Sequence, residues 1–218
     1  MKVTALKQVH YDPSVFTSVE TVDEAVRIIL TPEAGMTSVH RWKTEAPYLM
    51  TLIERHIVKG DSVLDYGCGI GRLSKPLIEK HLCDVIGVDI SPNMRALAAS
   101  CVGSDRFFAL HPVMLDVFAP CFVNAAIAIW TLQHCLKPFD DIARIYRALA
   151  DGAPLFIVNN VRRVVPVDGG QWVDDSIDIH RLILDSGFVL IERGELEGDD
   201  IAPGTLRDST FWAAYRKN

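Results

Sequence analysis

Short apolar runs alternate with helix-like patterns along most of the chain. From residue 61 onward, each apolar run is followed by a segment whose apolar residues recur at helical spacing. Residues 124–130 are almost entirely apolar, as expected of a parallel strand covered on both faces. This alternation predicts an α/β fold with a largely parallel sheet. The predicted strands are residues 61–64, 85–88, 106–110, 124–130, 155–158, 188–191 and 211–215, and the predicted helices are 72–80, 92–100, 140–150 and 179–186.

Residues 1–36 give fewer signals. Thr21 and Glu24 have the spacing of a capping box, which predicts a helix that Pro32 ends. Residues 3–9 are predicted to form a short strand, and residues 11–16 a loop. We expect residues 1–36 to be an N-terminal extension with room to cap the ligand crevice.

A second helix is predicted shortly before the first sheet strand. Thr44 is the expected N-cap, and Pro47 would then lie in the first turn, where a missing N–H costs nothing. His40, Arg41 and Trp42 would stand just ahead of that helix.

Three glycines at alternate positions follow the first strand. The segment reads Asp65-x-Gly67-x-Gly69-x-Gly71, and a helical pattern begins immediately after it. Glycines at such a junction allow a tight turn and let a ligand approach main-chain amides, while the helix N-terminus favours an anionic group. A tight strand-to-helix turn without a ligand is the alternative, although one glycine would suffice for it.

A second acid ends the next strand. Asp89 follows residues 85–88, and Ser91 with Pro92 predicts the start of a helix. Because the carboxyl ends of parallel strands face one crevice, Asp89 would lie beside the glycines and could accept hydrogen bonds from a ribose diol. Alternatively, Asp89 only caps the helix.

These two segments together resemble the class I S-adenosylmethionine-dependent methyltransferases. A dinucleotide-binding fold would need a third glycine at the position of Arg72 or Ser74, and it offers no ammonium group for Asp65 to hold. The resemblance implies a three-layer Rossmann-like fold with a seven-stranded, mostly parallel sheet and an antiparallel last strand. It implies S-adenosylmethionine as cofactor, with Asp65 holding the methionine ammonium and Asp89 the ribose. It also places Gly67, Cys68, Gly69, Gly71 and Ile90 among the residues that bind the cofactor.

Residues flanking this core are candidates for the methyl-transfer pocket. In similar methyltransferases the segment before the first strand folds over the methionine end, so Arg41 could pair with its carboxylate and Trp42 could form a wall. The alternative puts Trp42 in the core and Arg41 in solvent. Leu132-Gln133-His134 resembles the "L-Q-H" segment of small-molecule methyltransferases. There His134 is the candidate general base, or else a structural residue, and Trp130 is a candidate cofactor contact or a core residue.

Composition narrows the function further. The 218-residue chain has a net charge of −6, which disfavours a nucleic-acid partner. Its five cysteines are scattered without a C-x-x-C pair, so neither a disulfide framework nor a metal site is expected, and a cytoplasmic location fits. No segment predicts a membrane span. We therefore expect residues 37–218 to form a methyltransferase domain that acts on a small molecule. The alternatives are a peptide or protein methyltransferase, an NAD(P)-dependent oxidoreductase and a non-catalytic adenosylmethionine-binding subunit.

Overall fold

The core of the protein is a seven-stranded sheet in the order β3-β2-β1-β4-β5-β9-β8. The computed structural model describes residues 10–202 and 204–218. Strands β1 to β5 are parallel, and β9 runs antiparallel to both of its neighbours, β5 and β8. The strands are β1 (Ser62–Tyr66), β2 (Asp84–Val88), β3 (Phe107–Leu110), β4 (Ala125–Ile129), β5 (Pro154–Asn160), β6 (Val165–Val167), β7 (Gln171–Val173), β8 (Phe188–Gly194) and β9 (Thr210–Lys217).

Helices cover both faces of the sheet and make it the middle of three layers. Buried side chains of α3, α4 and α5 pack on one face, and those of α6 and α7 pack on the other. The predicted three-layer, mostly parallel fold is therefore confirmed. The helices are α1 (Ser14–Thr17), α2 (Val22–Ile29), α3 (Ser38–Ile53), α4 (Ser74–His81), α5 (Pro92–Val102), α6 (Pro138–Ala148), α7 (Ile179–Asp185) and α8 (Thr205–Ser209).

The start of α3 differs from the prediction. The N-cap is Thr37, whose side chain accepts a hydrogen bond from the backbone N–H of His40, so Pro47 lies inside the helix rather than in its first turn. Thr44 instead donates to the carbonyl of His40. The longer helix buries the side chains of Arg41 and Glu45, and this tertiary packing outweighs the cost of the internal proline.

The sequence did not predict α1, the β6–β7 hairpin or α8. Residues 11–16 are not all loop, since α1 begins at Ser14. Between β5 and α7, β6 and β7 form a separate antiparallel hairpin. The predicted strand 3–9 lies outside the described residues.

The described part of the N-terminal segment, residues 10–36, lies against the carboxyl edge of the sheet. Tyr11 forms a β-bridge with Val167 of the hairpin. The side-chain amide of Asn93, at the start of α5, donates to the carbonyl of Val19 at 2.8 Å. No helix in the described part of the chain is long and apolar enough to cross a membrane.

Candidate active site

The glycine loop (residues 67–71) joins β1 to the turn before α4. Gly67, Gly69 and Gly71 all have positive φ, at 83°, 54° and 80°. This backbone conformation strongly favours glycine. A Cβ on Gly67 would come within 2.0 Å of the Thr131 side chain, and one on Gly69 within 2.7 Å of Ile29. The loop is thus a close-approach surface, with one side chain from the N-terminal segment resting on it.

Asp89 lies beside this loop, as the sequence predicted. Its carboxylate accepts the backbone N–H of Gly69 at 3.0 Å and that of Ser91 at 2.9 Å. Burial raises the pKa of Asp89, and the two amide hydrogen bonds oppose that rise. A carboxylate has about four acceptor sites, so Asp89 can order the loop and still accept a ribose hydroxyl.

Asp65 is buried at the end of β1. Its carboxylate accepts the hydroxyl of Ser74, the first residue of α4, at 2.6 Å. Burial raises the pKa of Asp65 to about 6, although Ser74 and the nearby Arg72 favour the ionised form. An incoming ammonium group would favour ionisation further.

Cys68 and Ile90 occupy different environments. Cys68 is buried, and its Sγ would lie 2.8 Å from a Cβ on Gly87, so it fills space between the loop and β2. Burial raises the pKa of the Cys68 thiol well above its usual value, so we expect it to be an inert thiol. Ile90 is exposed at the end of β2.

Glu45 forms the centre of a buried polar network that sequence reasoning missed. Its carboxylate is fully buried and accepts Arg41 Nη2 at 3.2 Å, Arg72 Nη1 at 2.9 Å and Trp130 Nε1 at 2.8 Å. Arg41 is therefore buried, not solvent-exposed, and Trp130 is anchored through its indole N–H. Trp42 is half-buried with the Arg72 guanidinium 5.7 Å from its ring centroid. In the sequence, Arg41 and Glu45 have the i,i+4 spacing of an ordinary ion pair on an exposed helix surface. The buried network is therefore visible only in the folded structure.

His134 belongs to a chain of hydrogen bonds with one consistent orientation. The backbone N–H of Asn160 donates to Gln133 Oε1, which directs the Gln133 amide nitrogen to His134 Nε2 at 3.0 Å. His134 Nδ1–H then donates to the carbonyl of Val164 at 2.6 Å. Burial lowers the pKa of His134 to about 4. The imidazole is thus neutral at physiological pH, and its lone pair is already engaged by Gln133.

A cavity of about 290 Å³ lies next to His134. Its walls come from the N-terminal segment, α2, α3, the residues after β4 and the β6–β7 hairpin. Phe16, His134 and Trp172 form an aromatic cluster on these walls, with ring centroids 5.4 to 6.0 Å apart. Phe16 and Trp172 were not identified from sequence, because neither lies in a recognisable motif.

The cavity and the glycine loop share a wall. Ile29 lines the cavity, and it also lines a space of about 20 Å³ beside Asp65, Gly67 and Arg72. The hairpin wall is held by Arg163, which is buried and donates to the Leu132 carbonyl and to Asp175. No cluster of His, Cys, Asp and Glu able to hold a metal is found among residues 10–202 and 204–218.

Comparison with known proteins agrees with this geometry. A family model described as "Methyltransferase domain" matches residues 64–157, from β1 into β5. No curated protein sequence matches the chain.

Solved structures share the fold at low sequence identity. A phosphoethanolamine N-methyltransferase of Haemonchus contortus in complex with S-adenosyl-L-methionine is 18% identical, with a TM-score of 0.60 over 78% of this chain and 52% of that one. An S-adenosylmethionine-dependent methyltransferase of Mesorhizobium loti is 16% identical, with a TM-score of 0.61 over 81% of this chain and 100% of that one. A geranyl diphosphate methyltransferase in complex with GPP and sinefungin is 17% identical, with a TM-score of 0.61 over 79% and 77%.

Four features are those expected of a methyltransferase fold: the sheet order, the glycine loop, the acid that follows β2 and the matching domain model. The cofactor of this fold is S-adenosylmethionine, and the backbone amides of the glycine loop and the carboxylates of Asp65 and Asp89 have the chemistry to bind its polar groups. Residues 64–157 match a methyltransferase domain, and the chain has the fold of the class I S-adenosylmethionine-dependent methyltransferases.

Proposed function

We propose that this enzyme methylates an oxygen, nitrogen or carbon atom of a small molecule bound in the 290 Å³ cavity. The observation that carries the proposal is the shared wall at Ile29, which puts the cavity next to the glycine loop. A partly open space of about 290 Å³, near the lower end of the usual ~300–1,000 Å³ range for ligand pockets, favours a small acceptor over a peptide segment.

The cofactor contacts follow from the loop geometry. We propose that Asp89 accepts the ribose hydroxyls and that Asp65 pairs with the methionine ammonium. Gly67, Cys68, Gly69 and Gly71 would supply the close backbone surface. Ile90, exposed beside Asp89, would pack on the adenosine.

Arg41, Arg72 and Trp130 donate hydrogen bonds to the buried Glu45 beside this surface, and Trp42 packs against the Arg72 guanidinium. We propose that they bound the methionine end, with Arg72 nearest to its carboxylate, because Arg72 lines the space that Asp65 and Gly67 also line.

S-adenosylmethionine supplies an already activated methyl group, so the protein mainly has to align the acceptor and exclude water. The described cap residues 10–36 and the β6–β7 hairpin would provide that enclosure. With a pKa of about 4 and an engaged lone pair, His134 is a weak base. We propose that His134 positions Val164 and the hairpin, and that it acts as a base only if Gln133 releases it.

We also propose a cytoplasmic location, from the cysteine pattern alone. The net charge of −6 disfavours a nucleic-acid substrate.

Calorimetric titration with S-adenosylmethionine, S-adenosylhomocysteine and NAD tests the cofactor site. We expect the two sulfur ligands to bind and NAD not to bind. Asp89→Asn should weaken S-adenosylmethionine binding at least about tenfold, because it removes a charged acceptor worth roughly 1.5–3 kcal/mol. Asp84→Asn, at the exposed start of the same strand, is the matched control and should bind normally. Failure of S-adenosylmethionine to bind the wild-type protein would refute the proposed function.

A further inference from the structure

The acceptor cavity has an uneven charge lining. Its described walls include one guanidinium, that of Arg41, and no aspartate or glutamate. The remaining polar groups there are neutral side chains such as Gln133 and Asn160. A cavity built in this way favours an occupant with a negative charge over a cationic one.

Arg41 is not fully satisfied by the protein. Its Nη1 donates to the carbonyl of Thr31 at 2.7 Å, and its Nη2 donates to Glu45. Its Nε is buried and has no hydrogen-bond partner in the described part of the chain. The side chain is only 4% exposed. An unpaired buried donor on a charged group is costly, so this one is a candidate ligand contact.

The local charge is also unbalanced. One carboxylate, that of Glu45, is shared by the guanidinium groups of Arg41 and Arg72. The three groups together carry a net charge of +1. Arg72 lines the space at the glycine loop, whereas Arg41 lines the acceptor cavity. The excess charge can therefore act on the acceptor side through Arg41.

The rest of the cavity indicates what the anionic group is attached to. Phe16 and Trp172 contribute aromatic faces, and Ile28, Ile29 and Leu206 contribute aliphatic ones. Such walls favour an apolar or aromatic body with few polar groups.

We propose that the acceptor is a small organic anion with an apolar or aromatic body, whose carboxylate or similar acidic group binds Arg41. This inference rests on the proposed function, because it assigns the substrate class of the same cavity. The anionic group that binds Arg41 has two conceivable sources, the acceptor and the methionine carboxylate of the cofactor, and the experiment separates them.

The first measurement compares two probes of nearly equal shape. 2-Naphthoate and 2-naphthamide are titrated by tryptophan fluorescence into protein saturated with S-adenosylhomocysteine. We expect wild-type protein to bind the carboxylate at least tenfold more tightly than the amide. Equal affinities, or binding of neither probe, would overturn the proposal even though S-adenosylhomocysteine binds. Absence of S-adenosylhomocysteine binding would instead refute the proposed function.

Variants then assign the preference to one side chain. Arg41→Met should reduce the preference for the carboxylate to about twofold or less, whereas Arg41→Lys should keep part of it. Arg27→Met, which removes an exposed arginine in the last turn of α2, should leave it unchanged. Trp172→Ala should weaken both probes to a similar extent. If Arg41→Met does not fold, the affinities of the two probes for wild-type protein and for Arg41→Lys still decide the outcome.

The last arm tests the cofactor as the source of the anion. S-adenosylmethionine and its decarboxylated analogue are titrated into wild-type protein and Arg41→Met. We expect the affinity ratio of these two ligands to be the same in both proteins. A ratio that collapses in Arg41→Met would show that Arg41 binds the cofactor carboxylate, and would overturn the proposal.

Discussion

Replacing Glu45 with glutamine should destabilise the protein severely. The substitution preserves the shape of the side chain but removes the one carboxylate that pairs with both Arg41 and Arg72. All three side chains are buried, so water cannot compensate for the lost charge. Removing one partner of a buried ion pair costs about 3–5 kcal/mol. For a domain of this size that corresponds to a fall in Tm of roughly 6–20 °C.

Urea unfolding followed by circular dichroism gives the free energy of unfolding directly. The matched control is Glu192→Gln, which breaks the partly exposed pair with Arg55 and should cost at most about 1 kcal/mol. The double variant Glu45→Gln/Arg41→Met leaves only one unbalanced cation. Its loss in unfolding free energy should therefore be smaller than the sum of the losses in the two single variants, by at least about 1 kcal/mol. A Glu45→Gln protein as stable as the Glu192→Gln control would refute the argument that the Glu45 carboxylate holds the two buried guanidinium groups in place.

Three further outcomes follow from the glycine loop and its neighbours. Gly71→Ala should cost about 2 kcal/mol or more, because its Cβ would lie 2.3 Å from Val102. Gly103→Ala also has a positive φ, but its Cβ would make only an ordinary contact of 3.7 Å with the Ser100 carbonyl, and an equal loss in urea unfolding would contradict this. The pKa of Asp65 is raised from about 3.9 in the unfolded chain to about 6. The unfolding free energy of the wild type relative to Asp65→Asn should thus fall as pH rises from 4 to 6, and a flat or rising difference would contradict the burial argument. Ile29→Ala should increase the association rate of S-adenosylmethionine in stopped-flow fluorescence, and an unchanged or slower rate would show that this side chain does not limit access.

The parts of the site that the sequence predicted are those built from adjacent residues. The three glycines, Asp65 and Asp89 lie at strand ends, and the carboxyl ends of parallel strands must meet at one edge of the sheet. The strands β1 to β5 were also predictable, because each is a run of adjacent apolar residues of strand length. The start of α3 was misplaced because Thr37 and Thr44 both suit an N-cap, and only the tertiary burial of Glu45 distinguishes them.

The parts that the sequence did not predict depend on residues distant along the chain. Glu45 is 27 residues from Arg72 and 85 from Trp130, and no local pattern links these positions. His134 was recognised as a candidate, but its hydrogen bonds depend on Asn160, which ends β5 and acts through Gln133, and on Val164 after that strand. Its residue type suggested a base, whereas its hydrogen-bond partners favour a positioning role.

The same division separates the proposed cofactor side of the site from the proposed acceptor side. Asp65, Asp89 and the glycine loop are fixed by strand ends of the central sheet, so a change in them alters the fold and the cofactor surface together. The aromatic walls come from α1, the segment after β4 and the hairpin, and Trp172 is 45% exposed. Because exposed wall residues contribute little to the core, we expect them to be replaceable at small cost in stability. Acceptor choice should therefore change through Phe16 and Trp172, while the buried charges around Glu45 remain as they are.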